Sequence, residues 1–312
     1  MTSAGPVDLS VNLGALRLRN PIIAASGTFG YGVEFAHLVN LSKIGGFVTK
    51  GLSLTPLQGS PPPRLCETPS GMLNAVGLQN IGVRAFVAEK LPLIRNYDTL
   101  AFANVFGYSP EEYAEVIRIL EDAPGLAGYE LNISCPNVKQ GGIQFGSDPN
   151  LISQVVGIAK KVATARPLWV KLSPLVTDIR VIAQAAQDAG ADALTIANTY
   201  PAMALDPATG KSRIGCQTGG LSGPAIRPIT LRLVWEASKV VGIPIIGLGG
   251  IETVGDVLQY LAVGASAVQV GTATFVRPAA TERLFEGLQK RVLYSKSRNI
   301  KDLTDSLVPK LN

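Results

Sequence analysis

The chain has 312 residues, 46% hydrophobic and 16% charged; soluble domains usually carry about 25% charged residues, so disorder is excluded and a large core is expected. The formal charge of +5 lies mostly in residues 290–312, so no basic stripe across the fold marks a nucleic-acid binder. No apolar run approaches the roughly 18 residues a membrane helix needs, and residues 1–10 lack the basic and apolar regions of a signal peptide; a cytoplasmic protein is expected.

Short apolar, β-branched runs alternate with longer amphipathic ones. Residues 1–20 read as a hairpin that plugs a barrel floor. Eight near-continuous apolar runs then predict buried strands at 21–26, 46–51, 100–107, 129–135, 168–173, 193–199, 243–250 and 267–272. Helical patterns lie between them: a short one at 33–39, then 83–95, 109–120, 150–163, 178–189, 229–240, 254–263 and 279–293. The third opens Ser-Pro-Glu-Glu, an N-cap followed by proline and two acids at the positive helix end. Eight strands each followed by a helix predict an α/β fold, a (β/α)₈ TIM barrel forming one domain over 1–312. Two segments break the rhythm, 52–80 after strand two and 200–228 after strand six. Both read as long insertions at the barrel end where such folds build their sites.

An apolar barrel strand has no structural use for a polar residue at its end. Yet Lys50, Asn104, Asn132, Lys171, Asn198 and Thr199 sit at or near strand ends here. Any one of them reads best as a satisfied polar group at a sheet rim; six on one rim read as a site. Two lysines facing one cavity require something anionic or electron-rich between them. The glycines of GLGGI (247–251) and of GTA (271–273) offer bare backbone N–H groups where barrels hold phosphate. Together these features read as the grip of a phosphorylated flavin, with Lys171 at its N1/O2 edge.

The three cysteines, Cys66, Cys135 and Cys216, form no disulfide framework, and one histidine leaves no metal site on this chain. Cys135 ends a strand at the active rim, just before Pro136. The lone His37 falls in another segment, so Cys135 reads as a general base rather than half of a nucleophilic pair.

Several segments together resemble the class 1 dihydroorotate dehydrogenases: Thr49-Lys50-Gly51, ETPSGMLNAVGLQN (67–80), NISCPNVKQGG (132–142), VKLSP (170–174), ANT (197–199), TGGLSGPAIRP (218–228), GLGGI and VGTA. The strand-six insertion is similar to that of type 1B catalytic subunits. The resemblance implies oxidation of dihydroorotate to orotate, in pyrimidine synthesis, by one FMN per chain. It implies FMN contacts from Ser26, Lys50, Gly51, Asn104, Asn132, Lys171, Ile196, Gly223, Gly249, Gly250, Gly271 and Thr272. Substrate would be held by Lys50, by Asn74, Ala75, Val76, Gly77 and Leu78, and by Asn132, Asn198 and Thr199, with Cys135 and Lys50 catalytic. It also implies a partner subunit carrying FAD and a 2Fe–2S cluster that passes electrons to NAD⁺, around a homodimer core in a heterotetramer. Cys66 and the Tyr200-Pro201 pair depart from the family's usual residues. The rival readings are a fumarate-using class 1A homodimer, another flavin barrel such as a tRNA dihydrouridine synthase, and a flavin-binding barrel without catalysis.

Overall fold

The computed structural model describes residues 7–134, 145–295, 297 and 299–307. Eight parallel strands close into a barrel: β3 (Ile22–Ala24), β4 (Gly46–Val48), β7 (Ala101–Val105), β8 (Gly128–Asn132), β9 (Leu168–Lys171), β10 (Ala193–Ile196), β13 (Ile245–Leu248) and β14 (Ala267–Val270). These are the eight strands expected from the sequence, each shorter than its apolar run. Below the barrel, β1 (Val11–Leu13) and β2 (Leu16–Leu18) form the expected hairpin. Its Leu13 and Leu18 pack with Ile23, Val48, Phe102, Trp169, Ala193, Ile246 and Ala267 in one buried cluster. The hairpin thus stoppers the barrel floor, and Phe102 stacks on Trp169 with ring centroids 3.9 Å apart.

Side chains of a strand alternate between its two faces. Two residues above Phe102, Trp169, Ala193 and Ala267 therefore stand Asn104, Lys171, Thr195 and Gln269, again inside the barrel. The apolar floor gives way to a polar layer over that single step.

The helices outside are capped as their sequences direct. Ser109 accepts from the Glu112 N–H at the start of Pro110–Glu121, Asp148 caps Pro149–Val162, and Asp178 caps Ile179–Asp188. Thr253 and Asp256 make a capping box on Val254–Ala262. Two expectations are corrected. The helix at 33–39 is only a 3₁₀ turn, Val33–Phe35. Gly32 precedes it at φ +89°, and seven residues are too few to offset helix nucleation. The long helix Ala280–Leu293 packs on β3 in its stead, tied down by Lys43 bridging Glu282 (2.6 Å) and Glu286 (2.9 Å). The helix at 83–95 forms over 83–94, but Phe86–Lys90 is a π turn. Pro92 explains it: proline supplies no N–H and its ring crowds the carbonyl four residues back, so a wider turn relieves the clash.

The two insertions are more than loops. β5 (Leu65–Thr68) and β6 (Gly71–Asn74) come from the first, and β11 (Tyr200–Ala202) and β12 (Gly219–Ser222) from the second. They form one antiparallel sheet, in the order β11-β12-β6-β5. The joining register pairs Gly220 with Asn74, Leu221 with Leu73 and Ser222 with Met72. A Cβ on Gly71 would stand 2.1 Å from the Ser222 carbonyl oxygen, so the seam requires glycine there. Cys66, Leu73 and Ile214 give this sheet a small core of its own.

Candidate active site

A cavity of about 560 Å³ lies between the C-terminal ends of the barrel strands and the insertion sheet. Its floor carries Asn104, Asn132 and Lys171; Lys50 and Gly51 stand beside them at the end of β4, with Ser26 after β3. One wall is the run Asn74, Ala75, Val76, Gly77 and Leu78, leaving the sheet. Asn198 and Thr199 close the side after β10. Gly223, Gly249, Gly250, Gly271 and Thr272 gather at the far end. The residues singled out in the sequence are thus brought to one place, with two exceptions. Ile196 is fully buried in the core and does not line the cavity; the lining begins at Ala197. Cys135 lies outside the described residues. Ser134, the residue before it, lines the cavity and donates from its hydroxyl to the Lys171 carbonyl at 3.1 Å.

The floor is organised by a residue absent from the sequence reading. Glu130 is completely buried inside the barrel. Its Oε1 accepts from the Asn104 side-chain amide at 2.8 Å and lies 3.9 Å from the Lys171 ammonium. Its Oε2 accepts from Thr195 (2.8 Å) and from Gln269 (2.5 Å). A buried carboxylate persists when it is both paired and hydrogen-bonded, and four groups serve this one. A charged residue inside the apolar run YELNI, two positions before Asn132, was the available signal: residues i and i+2 share a face of a strand.

The upper polar groups are oriented too. Asn198 accepts from the Thr199 N–H at 2.8 Å and donates from its amide to Asn132 Oδ1 at 3.2 Å. That leaves the amide N–H₂ of Asn132 as its free donor side. Asn74 donates to the Gly220 carbonyl at 3.0 Å, across the seam between the insertions. Lys50 is half buried. Burial holds its ammonium below the ordinary lysine pKa; the Arg64 charge pushes the same way and the Glu34 carboxylate opposes. Arg64 is held by the Ser60 and Gln58 carbonyls and by Gln79, all in the insertion.

At the glycine end, Gly250 has φ +65°, and a Cβ there would stand 2.7 Å from the Gly223 carbonyl oxygen. Arg227 braces the turn, bonding the Gly250 carbonyl at 3.3 Å and the Asp256 carboxylate at 2.8 Å. Tyr260 donates to the Gly249 carbonyl at 2.7 Å. The turn's carbonyls are engaged from behind, and its glycines border the cavity.

This arrangement has counterparts among known proteins. The dihydroorotate dehydrogenase family model matches residues 8–292. A dihydroorotate dehydrogenase B (NAD(+)) catalytic subunit from Pelobacter propionicus is 54% identical over 300 residues, covering 96% of this chain and 98% of its own. A protein from Solibacter usitatus, provisionally named dihydroorotate dehydrogenase A (fumarate), is 56% identical over 299 residues, with coverage of 96% and 98%. In three dimensions the chain resembles DHODH from Eimeria tenella, crystallised with ferulenol, at a TM-score of 0.77. That likeness spans 94% of this chain and 86% of the other at 22% identity, a similarity of fold. A family match running from the floor hairpin to the last long helix, with relatives more than half identical over almost their full length, makes this chain a member of the dihydroorotate dehydrogenase family.

Proposed function

We propose that the chain is the catalytic subunit of an NAD⁺-linked dihydroorotate dehydrogenase, which binds FMN in the described cavity and oxidises dihydroorotate to orotate. One observation carries this reading: two lysines, four asparagines and a set of glycine turns converge on a single cavity in a chain of this family. The cavity suits a flavin phosphate. The buried Asn104 Oδ1 has no partner among the described residues and suits an N–H of the flavin ring, and glycine turns stand where the flavin's phosphate needs close backbone approach. Lys171, Asn104, Asn132, Ser26, Gly51 and Thr272 hold the cofactor with those glycines. Held by these residues, FMN would supply the two-electron acceptor for the hydride leaving C6 of the substrate.

The remaining chemistry belongs to the chain. Lys50 pairs with the substrate carboxylate. Asn74, Asn132, Asn198 and Thr199 match ring N–H and C=O groups, since an amide offers both a donor and an acceptor. Cys135 removes the proton from C5. The partner is a subunit with FAD and a 2Fe–2S cluster, on a homodimeric core in the cytoplasm. Relatives named as NAD(+) catalytic subunits support this division of labour. The class 1A reading keeps one support, the relative from Solibacter usitatus.

The test is anaerobic mixing of the purified yellow protein with dihydroorotate. Wild type bleaches rapidly. Cys135→Ala stays yellow when purified but bleaches at least about 10²-fold more slowly. A protein without flavin, or a Cys135→Ala variant bleaching at the wild-type rate, overturns the corresponding part.

A further inference from the structure

We propose that Glu130 is a positioning residue that fixes the donor–acceptor polarity of the cavity floor. It takes the Asn104 amide N–H₂, which leaves Asn104 Oδ1 as an acceptor at the wall, and it draws the Lys171 ammonium beside it as a donor. The ligand edge this selects is a flat heterocycle with an N–H next to a carbonyl or imine acceptor. The inference rests on the flavin reading above and assigns the imide edge of the isoalloxazine, with its N3–H, to this floor.

The polarity follows from what each group is able to do. An ionised carboxylate only accepts and an ammonium only donates. Asn104 lies opposite Glu130 in the β7–β8 register, and its Nδ2 is 2.8 Å from Oε1. With Nδ2 turned inward, Oδ1 must face the other way. There it is buried without a partner among the described residues, and a Cβ on Gly51, another cavity residue, would approach it to 3.0 Å. Lys171, across β8 on β9, meets the same Oε1 at 3.9 Å. Thr195 and Gln269 pin Oε2, so the carboxylate has no freedom to turn. Neither of these two lines the cavity. They act on the floor only through Glu130.

The readout is discrimination between two ligands by the apoprotein: FMN and its N3-methyl analogue, which lacks the donor. Methylation leaves Asn104 Oδ1 buried and unsatisfied, so wild type binds the analogue at least about tenfold more weakly. In Glu130→Gln the new amide donates to Asn104 Oδ1, Asn104 turns over, and the ratio falls below about threefold. A role confined to holding the fold lowers both affinities together and leaves the ratio unchanged. Lys171→Met alone keeps the discrimination, because Asn104 is still held. Lys171→Met/Glu130→Gln loses it, and this pair carries no unpaired buried charge should the single variant fold poorly. A full ratio in the Glu130→Gln proteins overturns the proposal. A wild-type apoprotein that does not bind FMN overturns the flavin reading instead.

Discussion

At the scale of single residues, the site depends on charges whose surroundings are fixed by other parts of the chain. Lys50 is the clearest case. Its pKa is lowered, first by burial and then by the pinned Arg64 guanidinium. A lysine is charged only below its pKa, so the anion-binding form of the free enzyme is lost at a lower pH than an ordinary lysine allows. The kcat/KM for dihydroorotate is expected to show an alkaline limb below the usual lysine range. Lys50→Met abolishes that limb and lowers kcat/KM at neutral pH by about 10–10²-fold. Stability moves the opposite way. Between the lowered folded pKa and the ordinary one, the unfolded chain binds more protons, so the fold gains stability as pH rises through that window. Thermal melts and steady-state rates across the same pH series check both signs; parallel trends count against the assignment. Lys50 itself was legible in the sequence, as were Asn104, Asn132, Lys171 and Asn198, because a polar residue ending an apolar strand is conspicuous. Its environment was not. Arg64 lies 14 positions along the chain, inside an insertion whose fold depends on another insertion.

At the scale of elements, what was legible is what repeats locally. Eight apolar runs and their helices specify the barrel, and the hairpin leucines specify its floor. The insertion sheet was hidden, because β6 and β12 pair across about 150 residues and each is short, rich in glycine and half exposed. No local periodicity encodes such a partner. The short helix at 33–39 failed for the opposite reason, a local pattern too short to sustain a helix: Val33, Phe35, Ala36 and Val39 still pack on the core, but only Val33–Phe35 is helical. The glycine turns divide by what surrounds them. A Cβ at Gly271 meets nothing closer than Ala25 Cβ at 3.7 Å, whereas one at Gly250 strikes backbone at φ +65°. A Cβ at Gly249 would meet Thr230 Oγ1 at 2.9 Å, so that position reports packing rather than ligand space. Gly271→Ala is therefore expected to keep the fold and the wild-type Tm while weakening FMN binding at least about tenfold, because its methyl group enters the cavity. Gly250→Ala is expected to cost about 1–3 kcal/mol of stability in the apoprotein itself. Apoprotein melts with FMN titrations separate the two effects. Wild-type FMN affinity in Gly271→Ala removes the phosphate from this end of the cavity.

At the scale of the whole molecule, the question is where the electrons go. The barrel interior is filled from the floor hairpin up to the Glu130 layer, and the cavity above holds about 560 Å³. The sequence contains no GxGxxG strand–turn–helix unit for a dinucleotide. Among the described residues no group of three or more His, Cys, Asp or Glu side chains is placed to hold a metal ion. Leu65, Leu175 and Phe275 line the cavity and are each more than 40% exposed, so its mouth is apolar. Covering exposed aromatic and aliphatic side chains at such a mouth favours association with another protein, and on the function proposed above a flavin edge near that rim would pass electrons across the contact. The purified chain alone is therefore expected to oxidise dihydroorotate with artificial dye acceptors but to form no NADH from NAD⁺. Adding a subunit with FAD and a 2Fe–2S cluster confers NAD⁺ reduction. Phe275→Asp, at the rim, is expected to leave the dye assay near wild type and to lower the NAD⁺ rate of the mixture at least about tenfold, because a buried unpaired charge opposes docking. Two results decide against this arrangement. Robust NADH formation by the chain alone places a nicotinamide site on it, and efficient fumarate reduction by the chain alone assigns it the homodimeric class 1A reaction.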